Sequence, residues 1–373
     1  MQDKLYFESL ETDNTKCPNC GGTTQFNPKL QKVQCLYCKS LIDIQDKSII
    51  SETVLDKLLT EAKPWSNTEV IKCNNCGAKE IISKGEIATE CSFCGTTNVV
   101  KTDEIVGMKP QGVCPFEKSI DEAKQFAQKW SKNKFFAPNK FKKEAVAKNI
   151  HGIYSPVFTF DCHTKSTYWG RLAKNTTYYT YSNGKRHAHT RTTYFSINGS
   201  SVNNFDDYLI QASSNIPQNT LKKLEPFPTE KAVKYNKKYL SGYKANTYSK
   251  NGYEYWNDCK NKFYGIIKQS VLRRYHYSYV VNYNQNTQYF DAKFKYMLLP
   301  IYVGHYIYKQ KTYNFFVNGI TGKVTGNAPV SGWKIALLVL AIILPILITF
   351  IVIFSTSLSG PLIAFFEEFL FTY

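Results

Sequence analysis

The 373-residue chain has no GxxxxGK[ST] phosphate loop, no GxSxG nucleophile turn and no HExxH helix motif. Those absences exclude P-loop nucleotide hydrolysis, the α/β-hydrolase arrangement and metalloprotease chemistry of the HExxH kind. Gly319-Ile-Thr-Gly322-Lys323 is the nearest approach to a phosphate loop, but its spacing is wrong and it sits among turn residues. The opening stretch, Met1 to Leu10, is polar and mixed in charge, so no secretory signal is expected. Outside the first hundred residues only Cys114, Cys162 and Cys259 occur, and their spacings suggest no disulfide framework. Positions 335–373 hold two glutamates and no lysine or arginine. A catalytic constellation is therefore not expected, and neither is a secreted fold.

What the chain does have is unevenly placed. Its formal charge of +18 resolves into −2 over residues 1–110, +22 over 111–334 and −2 over 335–373. A hydrophobic fraction of 43% with 56 aromatic residues (27 Tyr, 24 Phe, 5 Trp) excludes a wholly disordered chain. The length suits two or three folded units.

Eight of the 11 cysteines form four Cys-x-x-Cys pairs: Cys17/Cys20, Cys35/Cys38, Cys73/Cys76 and Cys91/Cys94. Fourteen residues separate Cys20 from Cys35 and fourteen separate Cys76 from Cys91, so one cassette occurs twice, displaced by 56 residues. Gly21 follows the first pair, Gly77 the third and Gly95 the fourth, while Lys39 follows the second. A two-residue gap lets both thiolates face one metal, and a glycine lets the backbone fold back towards sulfur. Two four-sulfur sites of this kind suit Zn²⁺ best, with iron as the minor alternative. With four protein ligands each, the two ions are expected to be structural. Zinc ribbon 1 is assigned to residues 1–45 and zinc ribbon 2 to 67–110. The segment between, 46–66, reads as a spacer helix carrying Ile49, Ile50, Val54, Leu55, Leu58 and Leu59 on one face and ended by Lys63-Pro64.

Ile335 to Phe354 is a 20-residue uncharged run, long enough as a helix to cross the roughly 30 Å hydrocarbon layer of a bilayer. Lys323 and Lys334 precede it and nothing basic follows. The positive-inside rule then predicts a single-pass membrane protein with residues 1–334 in the cytoplasm, which agrees with reduced thiols. A hydrophobic tail, 355–373, contains a Gly360-Pro361 break and is expected in the outer interface or partway back into the membrane.

The basic segment 111–334 reads as α+β, dominated by antiparallel sheet. Ser119 to Glu122 has capping-box form before a helix through Lys132, Ile153 to Phe160 reads as a buried strand, and Asn183-Gly184 marks a hairpin. Tyr253 to Arg274 reads as an amphipathic helix. Strand character follows at Val271–Val281, Lys293–Tyr308 and Lys311–Val317. Arg273-Arg274-Tyr275-His276-Tyr277 could neutralise phosphate and stack on bases. Attraction to anionic lipid headgroups, or plain solvation, fits the same composition. His187 and His189 share a strand face but lack a placed third metal ligand, and Cys162 and His163 should point apart.

With these residues in view, the chain resembles bacterial TFIIB-type zinc-ribbon proteins with a membrane anchor, of the YdjG type. The resemblance rests on the twin knuckles, on Ile150-His-Gly-Ile-Tyr-Ser-Pro-Val-Phe-Thr-Phe-Asp161 and on Tyr239-Leu-Ser-Gly-Tyr243. Leu298-Leu-Pro-Ile-Tyr302 and Phe316-Val-Asn-Gly-Ile-Thr-Gly-Lys-Val324 extend it. It implies an adaptor without catalytic activity, found with phage-shock-like and SPFH scaffold proteins in membrane stress. Such an adaptor would recruit cytoplasmic partner proteins to the membrane. A membrane-tethered nucleic-acid-binding or transcription-associated role is the alternative expectation. Lys39, where the pattern has glycine, puts the tightness of one knuckle in question.

Overall fold

The structure is a computed structural model. It describes residues 16–370 apart from 60–62, 65–67, 84–90, 95, 97–98, 103–105, 145–149, 214, 247 and 249. The fold is α+β with extensive antiparallel sheet. The first cysteine cassette forms a small meander, β1 (Thr24–Asn27), β2 (Lys32–Cys35) and β3 (Leu41–Ile42). Next come β4 (Thr53–Val54) and a 3-10 turn over Leu55–Leu59. The second cassette lies on β6 (Thr68–Cys73), β7 (Lys79–Ser83) and β8 (Val99–Thr102), flanked by the paired strands β5 (Lys63–Pro64) and β9 (Val106–Gly107).

The remainder is built on three long strands. After β10 (Gly112–Val113), α1 (Ile120–Lys132) and α2 (Asn139–Glu144) comes β11 (Ile150–Ser182), which turns at Asn183-Gly184 into β12 (Lys185–Gln211). Then α3 (Gln218–Leu224), β13 (Val233–Lys234), β14 (Lys244–Asn246) and α4 (Gly252–Leu272) lead to β15 (Tyr279–Tyr308). β16 (Lys311–Asn318), β17 (Val324–Gly326) and α5 (Gly332–Leu370) complete the chain. β11 pairs antiparallel with β12 along one edge and with β15 along the other. At 33 residues, β11 extends roughly 100 Å along its contour. Beyond Ala173 only β11 and β12 continue, as a two-stranded arm.

Residues 153–162 of β11 and 294–305 of β15 are buried in unbroken runs because elements cover both faces of the sheet there, whereas Cys162–Trp169 of β11 alternates buried and exposed. On one side α4 buries Trp256, Phe263, Ile267 and Val271, and Phe263 stacks on Phe205 of β12 at 3.7 Å between ring centres. Asn251 and Glu254 close the α4 N-terminus as a capping box, and Ser119 and Glu122 do the same for α1, as the sequence predicts. Phe116 sits among Tyr154, Tyr243 and Tyr302, with ring centres 4.2–5.0 Å apart.

The expected spacer helix over 46–66 is not formed in its described residues. Ile49 bridges to Val233, Ile50 N–H donates to Ala232 O (3.0 Å), and β4 pairs with Lys293–Phe294 of β15. Only Leu55–Leu59 coils, and Leu58 is buried. An isolated helix of this length is marginal, and an open edge of β15 supplies backbone partners that override the apolar spacing. The two ribbons are not free-standing either. Ribbon 1 hydrogen-bonds through Phe26 N–H to Ser241 O (2.9 Å), and Phe26 packs edge-on against Tyr239. β7 of ribbon 2 pairs with β14, which pairs in turn with β11. The Gly360-Pro361 step, expected as a break, lies inside the backbone of α5. A proline removes a single rung, and helix-forming residues resume after it.

The Asn318–Val324 turn is a structural joint. Buried Asn318 donates through Nδ2 to Leu224 O and Pro226 O (3.0 Å each) and accepts at Oδ1 from the amides of Ile320 (2.8 Å) and Thr321 (3.1 Å). Gly322 has φ +77°, and a Cβ there would lie 2.5 Å from the Phe126 ring. Asn318→Ala should strand these partners and cost about 2–3 kcal/mol, read as a lower thermal unfolding midpoint of the detergent-solubilised full chain.

Candidate metal centres

The two cysteine cassettes fold alike because the same local bonds recur. In ribbon 1 Cys17 N–H donates to Gly22 O (2.7 Å) and Gly21 N–H to Cys17 O (2.8 Å). In ribbon 2 Cys73 N–H donates to Ala78 O (2.8 Å) and Gly77 N–H to Cys73 O (2.9 Å). Gly21 and Gly77 have φ of +70° and +75°, the left-handed turn that the Cys-x-x-Cys-Gly pattern calls for. Lys39 adopts φ +61° in the corresponding place, and its Nζ donates to Leu36 O (2.8 Å). The knuckle therefore keeps its tight turn despite the missing glycine, at a cost of about 1 kcal/mol. Gly95 lies outside the described residues.

All eight predicted ligands are brought into two groups of four, Cys17/Cys20/Cys35/Cys38 and Cys73/Cys76/Cys91/Cys94, with the sulfurs of each group within 4.8 Å of one another. Contacts of 3.6 Å (Cys17–Cys38), 3.5 Å (Cys20–Cys35), 3.6 Å (Cys73–Cys94) and 3.6 Å (Cys76–Cys91) link them. A tetrahedral ion with metal–sulfur bonds of about 2.3 Å would hold its sulfurs about 3.8 Å apart, so both cages have the right size. Donors surround the sulfurs as well. Ser40 Oγ lies 3.2 Å from Cys17 Sγ and 2.9 Å from Cys38 Sγ, the Phe93 amide donates to Cys91 Sγ (3.4 Å), and Asn75 Nδ2 to Cys94 Sγ (3.6 Å).

The electrostatics call for a cation. The Ser40 hydroxyl draws the Cys17 thiol down to about 6. The Gly22 amide favours the Cys20 thiolate, yet the Cys38 and Cys35 sulfurs outweigh it and push Cys20 up to about 11. Burial pushes Cys76 up to about 12. Thiols crowded in this way cannot all ionise unless a positive charge sits among them. With four protein sulfurs per cage, a bound ion would have no open position for a substrate.

The other sequence candidates do not assemble into sites. His189 Nε2 lies 2.8 Å from Thr180 Oγ1 and its ring stacks on Tyr178; no metal-ligating group including His187 or His189 forms among the described residues. Cys162 is buried while His163 is exposed, on opposite faces as expected. Burial pushes Cys162, Cys114 and Cys259 well above the usual thiol range.

One cluster had no sequence signal. Paired bulges around Asp161 of β11 turn Asp206 and Asp207 of β12 towards it, and Glu52, just before β4, completes the group. Its members lie far apart in the chain and match no motif. Buried Lys295 pairs with Asp207 (2.6 Å) and approaches Glu52 (3.9 Å), while Lys293 pairs with Glu52 (3.1 Å). Asp161 accepts from the Asp207 amide, but its second oxygen has no hydrogen-bond partner. Burial pushes the Asp161 carboxyl up to about 6, with the Asp207 amide pulling the other way.

Two measurements follow. The purified full chain should carry two metal ions, Cys73→Ala one, and the Cys17→Ala/Cys73→Ala pair none, by elemental mass spectrometry; a wild-type chain without metal would refute the cages. The Asp161 carboxyl binds its proton more tightly folded than unfolded, so its contribution is favourable below about pH 4 and lost as pH rises through about 6. Asp161→Asn should therefore gain in unfolding temperature relative to wild type between pH 4 and pH 7.5, and a difference that stays flat across that range would contradict the assignment.

Comparison with known proteins adds one relative. No family model matches the chain, and no solved structure matches it. Over 324 residues the chain is 29% identical to "Uncharacterized protein YdjG" of Bacillus subtilis (strain 168), a match covering 86% of this chain and 91% of that protein.

Proposed function

We propose that the chain is a membrane-anchored adaptor that docks cytoplasmic partner proteins at the bacterial membrane, in membrane-stress response. Two structural Zn²⁺ ions hold its ribbons in shape. α5 crosses the bilayer once, with residues 1–334 in the cytoplasm. The observation that carries this reading is the closed cage of ribbon 1, whose knuckle displays apolar side chains to solvent. Tyr37 is 73% exposed, and Leu36 and Leu41 are each nearly half exposed. A metal site without an open position does not catalyse, but it can hold such a patch rigid for a partner.

The rest of the chain supports an anchor. Gly332–Ile351 has a mean hydropathy of 2.8 and none of it is buried. Lys323 and Lys334 precede it, which favours the cytoplasmic orientation. The sequence resemblance suggests SPFH-like scaffold proteins as partners. Crosslinking and pull-down from membranes tests the reading: wild type should retain soluble proteins that Leu36→Ser/Tyr37→Ser loses at unchanged metal content. Equal recovery with both would overturn the ribbon as the docking surface.

The β11–β12 arm favours a second reading, nucleic-acid binding. Between Cys162 and Phe205 there are six Lys/Arg and no Asp/Glu. Trp169, Tyr178, Tyr179, Tyr181 and Tyr194 are exposed there, and Arg186 lies 3.5 Å over the Tyr179 ring. Aromatic faces between cations suit single-stranded nucleic acid. Tight RNA or DNA binding at physiological salt that weakens steeply as salt rises would favour it over the adaptor.

A further inference from the structure

The first turn of α5 is fastened to a loop that carries exposed aromatics. Ser331 N–H donates to Phe136 O (2.8 Å), and Lys334 Nζ donates to Phe135 O (3.4 Å), Ala137 O (2.7 Å) and Asn139 Oδ1 (2.9 Å). The uncharged run starts at Ile335, so whatever is bonded to Ser331 and Lys334 lies within about one helical turn of the level where the helix turns apolar. At that level Trp333 is 72% exposed, Phe135 69% and Val330 54%. Phe135 and Phe136 meet edge to face at 5.2 Å.

Beside this rim lies a cavity of about 630 Å³, bounded by the α1–α2 loop, the start of β16 and the Gly326–Val330 strap. Lys134 and Lys311 line it with Asn133, Thr312 and Tyr313, and among the described residues no carboxylate does. Lys134 Nζ sits 4.9 Å over the Trp130 ring. Lys309 and Gln310, both at positive φ, form the tight turn that brings Lys311 back to the cavity.

We propose that this cradle dips into the cytoplasmic membrane interface and seats the headgroup of an acidic phospholipid, with Phe135, Phe136 and Trp333 at the acyl boundary. The proposal rests on the reading of α5 as a membrane span. Aromatic rings favour the interface, and lysines beside a span are drawn to the negative leaflet. Two ammonium groups in a cavity without acids complement one phosphodiester. The arm is a different surface: its tip at Asn183-Gly184 is roughly 100 Å of strand away from Ile150, the end of β11 on the α5 side.

The test uses the full chain in vesicles of phosphatidylcholine and phosphatidylglycerol, with the phosphatidylcholine brominated high on its acyl chains. Phe135→Trp should add a strongly quenched emission component, and Tyr181→Trp at the arm tip an unquenched one. Phosphatidylglycerol should be enriched several-fold over phosphatidylcholine in the lipid retained through detergent extraction. Lys134→Gln/Lys311→Gln should lower that enrichment at least threefold without changing metal content. An unquenched Trp at 135 in a protein whose Trp333 is quenched would overturn the cradle and leave the span intact. Unchanged enrichment in the lysine pair would overturn the headgroup seat. If Trp333→Phe removes no quenched component, the span reading itself fails.

Discussion

A strand of 33 residues has to satisfy its backbone groups along its whole length, and β11 does so with three neighbours. β12 and β15 run beside it for most of that distance, and β14 takes the short stretch near its start that β12 does not reach. Leaving even a few of those amides unpaired in the interior would cost more than the fold has to spare. The ladder also explains why helices α1 and α4 lie where they do, each over a stretch of sheet that would otherwise expose aromatic side chains. Local elements elsewhere in the chain attach to this frame or to its edges.

The attachments are specific. Tyr239 packs on Phe26 of ribbon 1, and Tyr243 stacks on Phe116. Gly242, at φ +79°, lets the Gln25 side chain approach where a Cβ would sit 2.5 Å away. The 239–243 block is thus a seat for the first ribbon. The 318–324 block is a joint between β16 and the end of α3. Both had stood out in the sequence as short distinctive segments, and both turn out to hold parts of the molecule together.

The two four-cysteine groups were legible because such a cage is written in local spacing: two residues between cysteines, and a doubled cassette. The capping box at Ser119 is local too, and α1 and α4 form as the capping box and the amphipathic spacing predict. The apolar run that became the first half of α5 is unmistakable on composition alone. What could not be read depends on distant partners. Nothing in Ile49–Leu59 announces that the edge of β15 will claim it, and the helical spacing there is overruled by tertiary pairing. Asp161, Asp206 and Glu52 come together only through bulges in two different ladders. The docking of the ribbons on the sheet depends on Tyr239, Phe93 and β14, residues whose roles appear only once the chain is folded.

Among the described residues, ribbon 2 joins the frame through two residue pairs of β14 with β7, through buried Cys73, Ala78, Cys91 and Phe93, and through Met108, whose amide donates to the Tyr248 hydroxyl (2.6 Å). Each of these contacts is worth about 1–3 kcal/mol and they are spread over several elements, whereas a four-thiolate cage that binds its metal would hold at one point with on the order of 10–16 kcal/mol. Under tension the molecule would part at these contacts and not at the cage. A pull on the second ribbon would then release it as an intact unit, still tethered by its own chain.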